Sequence, residues 1–279
     1  MNYLITGANG FLGQELVNKL YTKENKLTLL VREHCFKEIS LKYSDALVYP
    51  VINYSFTDFS LFKHGSIFDN VDHIFHLAGM KGVATTNKYV KESLSINISG
   101  AQHLLDVASS FNVKSVIGIS SEKAVHKIGV YGASKFLLEK LFDQYSAENP
   151  RTQYKVMRCG NIAYSPNSLL TIWRNNLING FDVVISHPDA TKFLCSVQDA
   201  VGFLIETLNH PNRFYVPKIK SIRLGHLLAK MIEKYDPNKK SKVIISGLFP
   251  EEEMCEYLDN DYSSDMAEIL TDNELSLII

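Results

Sequence analysis

The sequence Ser120-Ser121-Glu122-Lys123 is followed, eight residues after Lys123, by Tyr131-Gly132-Ala133-Ser134-Lys135. The segment gathers hydroxyls, a carboxylate, a phenol and two ammonium groups. Residues four apart on a helix share a face, so Tyr131 and Lys135 would project together. A free tyrosine, with a pKa of about 10, is a poor base at neutral pH, and a neighbouring ammonium favours its phenolate. Tyr131 and Lys135 therefore read as a base and its cation, with Glu122 and Lys123 as a further acid–base pair. The same spacing also arises where a half-buried tyrosine lies beside a lysine stem packed on apolar surface. Glu122-Lys123 alone would equally suit a solvent-facing ion pair after a strand.

The N-terminal region adds weight to the chemical reading. Met1 to Ile5 is a short apolar run that meets Thr6-Gly7-Ala8-Asn9-Gly10-Phe11-Leu12-Gly13 and passes into a helical pattern from Gln14 to Leu20. Strand, glycine-rich turn and helix in that order form a nucleotide site, because the glycines let backbone N–H groups approach a pyrophosphate at the positive end of the helix dipole. Gly7, Asn9, Gly10, Phe11 and Leu12 are the cofactor candidates in this turn. The second strand, Lys26 to Val31, ends at Arg32, nineteen residues beyond Gly13. An acidic residue there would suit the ribose hydroxyls of NAD, and an arginine suits the 2′-phosphate of NADP. NADP is therefore expected, with an ordinary surface arginine as the alternative and Lys37 able to share either role.

Strand-like runs at 46–52, 71–76, 114–119 and 154–158 alternate with helical stretches near 88–111 and 132–147. Such alternation predicts an α/β fold, a Rossmann-type doubly wound parallel sheet with helices on both faces. Ligands then bind beyond the carboxyl ends of the strands. After residue 164 the pattern loosens, with helices near 199–208 and 222–234. A nucleotide-binding domain over 1–164 and a smaller substrate-covering region over 165–279, not an independent fold, are expected. The run Glu251-Glu252-Glu253 reads as a solvated helix.

A chain of 279 residues with 46% hydrophobic composition can bury a substantial core, and a net charge of −1 leaves no basic footprint for nucleic acid. No stretch approaches the ~18 apolar residues of a membrane span, and the opening apolar run starts a strand rather than a leader. Four cysteines at 35, 159, 195 and 255 lack pairing or metal-ligand spacing. A cytoplasmic protein with reduced thiols, no metal and no membrane partner is expected.

The glycine motif, His76-Leu77-Ala78-Gly79, Asn97 and the Ser121/Tyr131/Lys135 set resemble an extended short-chain dehydrogenase/reductase. Within that superfamily, Ser120 to Val125, Arg158-Cys159-Gly160-Asn161 and His187 to Phe193 resemble the polysaccharide-biosynthesis branch of UDP-N-acetylglucosamine 4,6-dehydratases and their 5-epimerising relatives. The resemblance implies a UDP-sugar substrate and a homo-oligomer. It implies that Tyr131, kept as phenolate by Lys135, takes the O4 proton while C4 is oxidised, and that Ser121 bonds the same oxygen. It further implies Lys123 as the C5 base and Glu122 as the acid for the departing O6. Ala78 would line the cofactor, Asn97 would organise the active-site helix, and Lys81, Asn161, Ser168 and Lys192 would contact substrate.

Departures from that pattern are specific. Pro166-Asn167 stands where the branch has an arginine-glycine pair, Lys192 stands where it has an arginine, and Gly247 to Glu253 lacks a third arginine. Lysine does not reproduce the bidentate geometry of a guanidinium on phosphate. Ser55 lies near where the branch supplies an adenine-contacting aspartate. A 4-reductase or 4/5-epimerase of the same pathway needs Tyr131 and Lys135 without the Glu122-Lys123 pair, and a non-catalytic NADP-binding regulator needs neither.

Overall fold

The computed structural model describes residues 1–51, 67–111, 113–238 and 240–279. Ser55 lies outside them. The described strands are β1 (Asn2–Thr6), β2 (Lys26–Arg32), β3 (Leu47–Val51), β4 (His73–His76), β5 (Ser115–Ser121), β6 (Gln153–Cys159), β7 (Asn161–Ile162), β8 (Val183–Ile185), β9 (Thr191–Cys195), β10 (Phe214–Tyr215), β11 (Ser221–Arg223), β12 (Val243–Ile245), β13 (Tyr257–Asp259) and β14 (Tyr262–Ser263).

Two compact units emerge: residues 1–158 with 201–215, and residues 159–200 with 216–279. The sequence suggested a single cut after 164. Residues 201–215 rejoin the first unit, where Phe214 and Tyr215 pair with Val156 and Met157 at a sheet edge.

The first unit is built on a seven-stranded sheet in the order β10-β6-β5-β4-β1-β2-β3. Strand β1 pairs in parallel with β2 on one side and β4 on the other, and the parallel order continues to β3 and β5. The interior positions of β1 and β2 are buried in unbroken runs, as expected of parallel strands covered on both faces. Strand order reverses at β1, so the crevice beyond the carboxyl ends of β1 and β4 is the topological switch point. This is the expected Rossmann-type architecture.

The long Gly129–Glu148 helix is seated on this sheet by a small residue facing a large one. A Cβ on Gly118 of β5 would lie 2.7 Å from the Phe142 ring. Phe142 and Leu138 join Leu4, Ile74, Val116, Leu104 and Leu105 in one buried core. The stretch expected as one helix near 88–111 is instead a helix at Val83–Lys88, another at Val90–Leu94, a widened π turn at Ser95–Ser99 and a third helix at Gly100–Ser110. The π turn contains Asn97, and such turns often mark functional positions.

The second unit holds the three-stranded sheet β11-β9-β7, the pair β12-β8 and the hairpin β13-β14. Its core gathers Leu170, Trp173, Leu177, Leu227, Met231 and Leu275. The buried Trp173 places its one polar atom by donating Nε1–H to the Val184 carbonyl at 2.8 Å. The run Glu251-Glu252-Glu253 lies in a turn at 250–251 and irregular chain rather than in the expected helix, and a helix at Asp272–Ile278 begins with a Thr271/Glu274 capping box. Among the described residues no helix is long and apolar enough to cross a membrane.

Candidate active site

The glycine turn is tight enough that side chains would not fit. Gly7 has φ of +66°, in the left-handed region, and a Cβ there would lie 2.7 Å from the Ala78 nitrogen. A Cβ on Gly13 would lie 2.1 Å from the Gly7 carbonyl oxygen. Gly10 is the N-cap of the Phe11–Leu20 helix and supplies no side-chain cap. The first-turn N–H groups of such a helix lack intrahelical acceptors, so the turn offers the backbone cradle and dipole end that a pyrophosphate requires. Asn9 is buried and fixes the turn: its Oδ1 accepts from Arg32 N–H at 3.2 Å, and its Nδ2 donates to Cys35 Sγ at 3.3 Å. Arg32 itself is exposed at the end of β2.

A continuous strip of contacts runs from this turn to the acid–base residues. Thr6 Oγ1 accepts from Ala78 N–H at 3.1 Å and meets His76 Nδ1 at 2.9 Å. Burial, reinforced by the Lys135 charge, pushes the His76 imidazole down to about 3, so it stays neutral at physiological pH. A Cβ on Gly79 would lie 3.2 Å from Asn97 Oδ1 and 3.7 Å from Lys135 Nζ. Asn97 bonds both backbone groups of Met80, at 2.7 and 2.9 Å, and donates to Ser134 Oγ at 3.0 Å. It thus ties the loop after β4 to the helix carrying Tyr131 and Lys135. Lys81, next along that loop, is exposed.

Tyr131 and Lys135 do share a helix face. Lys135 Nζ lies 6.0 Å from the Tyr131 ring centroid and donates to the Ile119 carbonyl at 2.9 Å. Lys135 is only 8% exposed. The helix starts where it does because Gly129, at φ +61°, abuts Val83 and Asn87, and Val130 N–H donates to Asn87 Oδ1 at 2.9 Å. Gly132 is the close-approach point to the preceding turn, since a Cβ there would lie 2.2 Å from the Lys123 carbonyl oxygen. That contact sets Glu122 and Lys123 beside the start of the helix.

Ser121, the last residue of β5, caps the short turn at Glu122–Ala124, and its hydroxyl donates to the Glu122 carboxylate. Glu122 Oε1 and Lys123 Nζ are 3.8 Å apart with side chains 9% and 14% exposed. The pair is not solvent-facing. Five predicted residues, Ser121, Glu122, Lys123, Tyr131 and Lys135, therefore stand on one strand end, one turn and one helix start.

A carboxylate not singled out from sequence lies one helical turn beyond Lys135. Glu139 is buried and accepts from Ser120 Oγ at 2.6 Å and from Arg158 through Nε and Nη2, both at 2.8 Å. The Arg158 guanidinium stacks 4.3 Å from the Phe214 ring centroid. The signal was the spacing: Tyr131, Lys135 and Glu139 fall at successive intervals of four.

In the second unit, Asn161 and Lys192 converge on a common partner. Asn161 Nδ2 donates to Glu256 Oε2 at 2.8 Å, and Lys192 Nζ lies 3.5 Å from both Glu256 Oε1 and Glu252 Oε1. Glu252 also accepts from Ser186 Oγ at 2.8 Å. Glu252 of the acidic run, with Glu256, thus supplies counter-charge to the largely buried Lys192 side chain, because an ammonium withdrawn from water must be paired. Ser168 caps the Leu169–Asn179 helix. Cys159 and Cys195 are buried, and among the described residues no group of three or more His, Cys, Asp or Glu side chains could hold a metal ion.

Comparison with known proteins places this arrangement among sugar-nucleotide enzymes. The family described as polysaccharide biosynthesis protein matches residues 3–273. A UDP-glucose 4-epimerase of Rickettsia bellii is 31% identical over 254 residues, spanning 88% of this chain and 73% of the relative. A UDP-N-acetylglucosamine 4,6-dehydratase (inverting) of Campylobacter jejuni is 28% identical over 252 residues, spanning 87% and 73%. Among solved structures, Pen from Bacillus thuringiensis shares the fold with a TM-score of 0.82 at 23% identity, over 93% of this chain and 83% of that one.

Proposed function

This chain belongs to the polysaccharide biosynthesis protein family, and on that premise we propose that it is an NADP-dependent nucleotide-sugar 4,6-dehydratase acting on UDP-N-acetylglucosamine. The observation that carries the reading is the largely buried Glu122-Lys123 pair beside the Tyr131/Lys135 helix start. A 4-epimerase or 4-reductase has no elimination step for that pair to serve.

Tyr131, with the Lys135 ammonium favouring its phenolate, accepts the proton from the sugar O4, and the Ser121 hydroxyl bonds the same oxygen. The glycine turn of Gly7, Gly10 and Gly13 would hold the dinucleotide, which when bound would supply the hydride chemistry that oxidises C4 and later reduces C6. Between those events the 4-ketone acidifies C5–H. Lys123 removes that proton and Glu122 protonates O6 as the C6–O bond breaks, so that one water leaves. The 3.8 Å pair suits this division. Burial favours neutral forms, and moving the shared proton from Lys123 to Glu122 gives an amine base beside a carboxylic acid without changing the charge of the site. Reprotonation at C5 completes the 4-keto-6-deoxy sugar.

NADP is the cofactor this reading favours, on the exposed Arg32 at the end of β2. Replacing Arg32 by Glu should weaken NADP binding by at least ~10-fold and leave NAD equal or better, as measured by parallel titrations; unchanged NADP affinity would remove Arg32 from the site. The 4-epimerase relative supports a second reading, interconversion at C4. Incubation with UDP-N-acetylglucosamine and catalytic NADP⁺ separates the two: dehydration yields a product lighter by one water in the mass spectrum, and a product of unchanged mass contradicts it.

A further inference from the structure

Behind the catalytic lysine lies a carboxylate with every sign of a constructed position. Glu139 sits four residues after Lys135 on the same helix face and is 5% exposed. Ser120 from β5 and Arg158 from β6 fix both of its oxygens. A buried Glu–Arg pair held only for stability could be replaced as a whole by apolar packing at little cost. Its placement beside a buried ammonium gives it a chemical consequence.

We propose that Glu139, clamped by Arg158 and Ser120, is a positioning residue that keeps Lys135 protonated and directed at Tyr131. The proposal rests on the acid–base reading of that pair. The charged and titratable groups that act on Lys135 are Glu139 and Tyr131 on its own helix and His76 from β4, with Arg158 from β6 paired to Glu139; the Glu122–Lys123 turn after β5 packs against the start of the same helix. Burial pulls the Lys135 ammonium down to about 8, and the Glu139 charge opposes that pull. His76 is neutral and adds no charge. Without the carboxylate the lysine would lose its proton within the working range, and with it the cation that favours the Tyr131 phenolate. As pH rises, activity is lost with the ammonium, so removing Glu139 moves the alkaline limb downward.

The test is an NMR titration of the Lys135 side chain, which needs no sugar substrate, together with pH–rate profiles. Wild type should titrate near pH 8, and Glu139→Gln about one pH unit lower, the size expected for loss of a nearby opposite charge. The alkaline limb of kcat should fall by the same interval, with KM for the nucleotide sugar changed less than ~3-fold, consistent with loss of a transition-state contribution. Glu139→Asp, which keeps the charge, should restore the midpoint. Should Glu139→Gln fail to fold with Arg158 unpaired, Glu139→Gln/Arg158→Met removes both charges and should shift the midpoint in the same direction. An unmoved Lys135 midpoint in a folded charge-removed variant overturns the proposal. Failure of the dehydratase reading would leave the titration result standing, so the two can be told apart.

Discussion

Tyr131→Phe should fold as wild type and lose at least ~100-fold in turnover, the lower bound for removing a positioned general base. That loss is about 3 kcal/mol of transition-state stabilisation at 1.36 kcal/mol per tenfold. The substitution deletes one oxygen and leaves the ring, so Lys135 keeps its place through the Ile119 carbonyl and Asn97 keeps its bonds to Met80 and Ser134. The effect should fall on kcat, because the O4 proton moves only in the chemical step. Steady-state rates with UDP-N-acetylglucosamine and a thermal melt measure it. Near-normal turnover in a folded Tyr131→Phe protein would mean that another group takes the O4 proton.

Gly13→Ala should abolish tight cofactor binding. The added Cβ would lie 2.1 Å from the Gly7 carbonyl oxygen and 3.0 Å from the Ala8 Cα. Neither is the end of a flexible side chain, so the helix N-terminus must retreat from the turn. Gly7 cannot yield easily, since its own left-handed backbone packs against Ala78. Losing a charge-assisted hydrogen bond to the pyrophosphate costs about 1.5–3 kcal/mol, so a loss in NADPH affinity on the order of 10- to 100-fold is expected by fluorescence titration. The unit should still fold, because Leu16, Val17 and Leu20 continue to anchor the helix. Wild-type affinity in the variant would show that the dinucleotide does not sit on this turn.

The local motifs were legible because their spacing is itself geometry. Glycines at 7, 10 and 13 after an apolar strand describe the turn that forms, and an interval of four puts Tyr131 and Lys135 on one helix face. What escaped depended on partners distant in the chain. Glu139 looks like an ordinary helical glutamate until β6 brings Arg158 beside it and β5 brings Ser120. Glu252, within the Glu251-Glu252-Glu253 run, reads as solvated because nothing in its own segment reveals a largely buried Lys192 side chain sixty residues earlier. The π turn that positions Asn97 interrupts a pattern whose apolar spacing continues through it. The resemblance implies Ser168 as a substrate contact, whereas in the fold its hydroxyl caps a helix. Substitution of arginine by Lys192 has a local counterpart in this unit: the ammonium is already held by two carboxylates.

The chemistry assigned to the Glu122-Lys123 pair is tested most directly in heavy water. With UDP-N-acetylglucosamine and catalytic NADP⁺, the wild-type product should carry deuterium at C5, because the proton removed by Lys123 is replaced from solvent. Lys123→Ala should form the 4-ketone but incorporate deuterium at C5 at least ~100-fold more slowly. A product that keeps its original C5 hydrogen, or equal incorporation by the Lys123→Ala protein, would contradict the account.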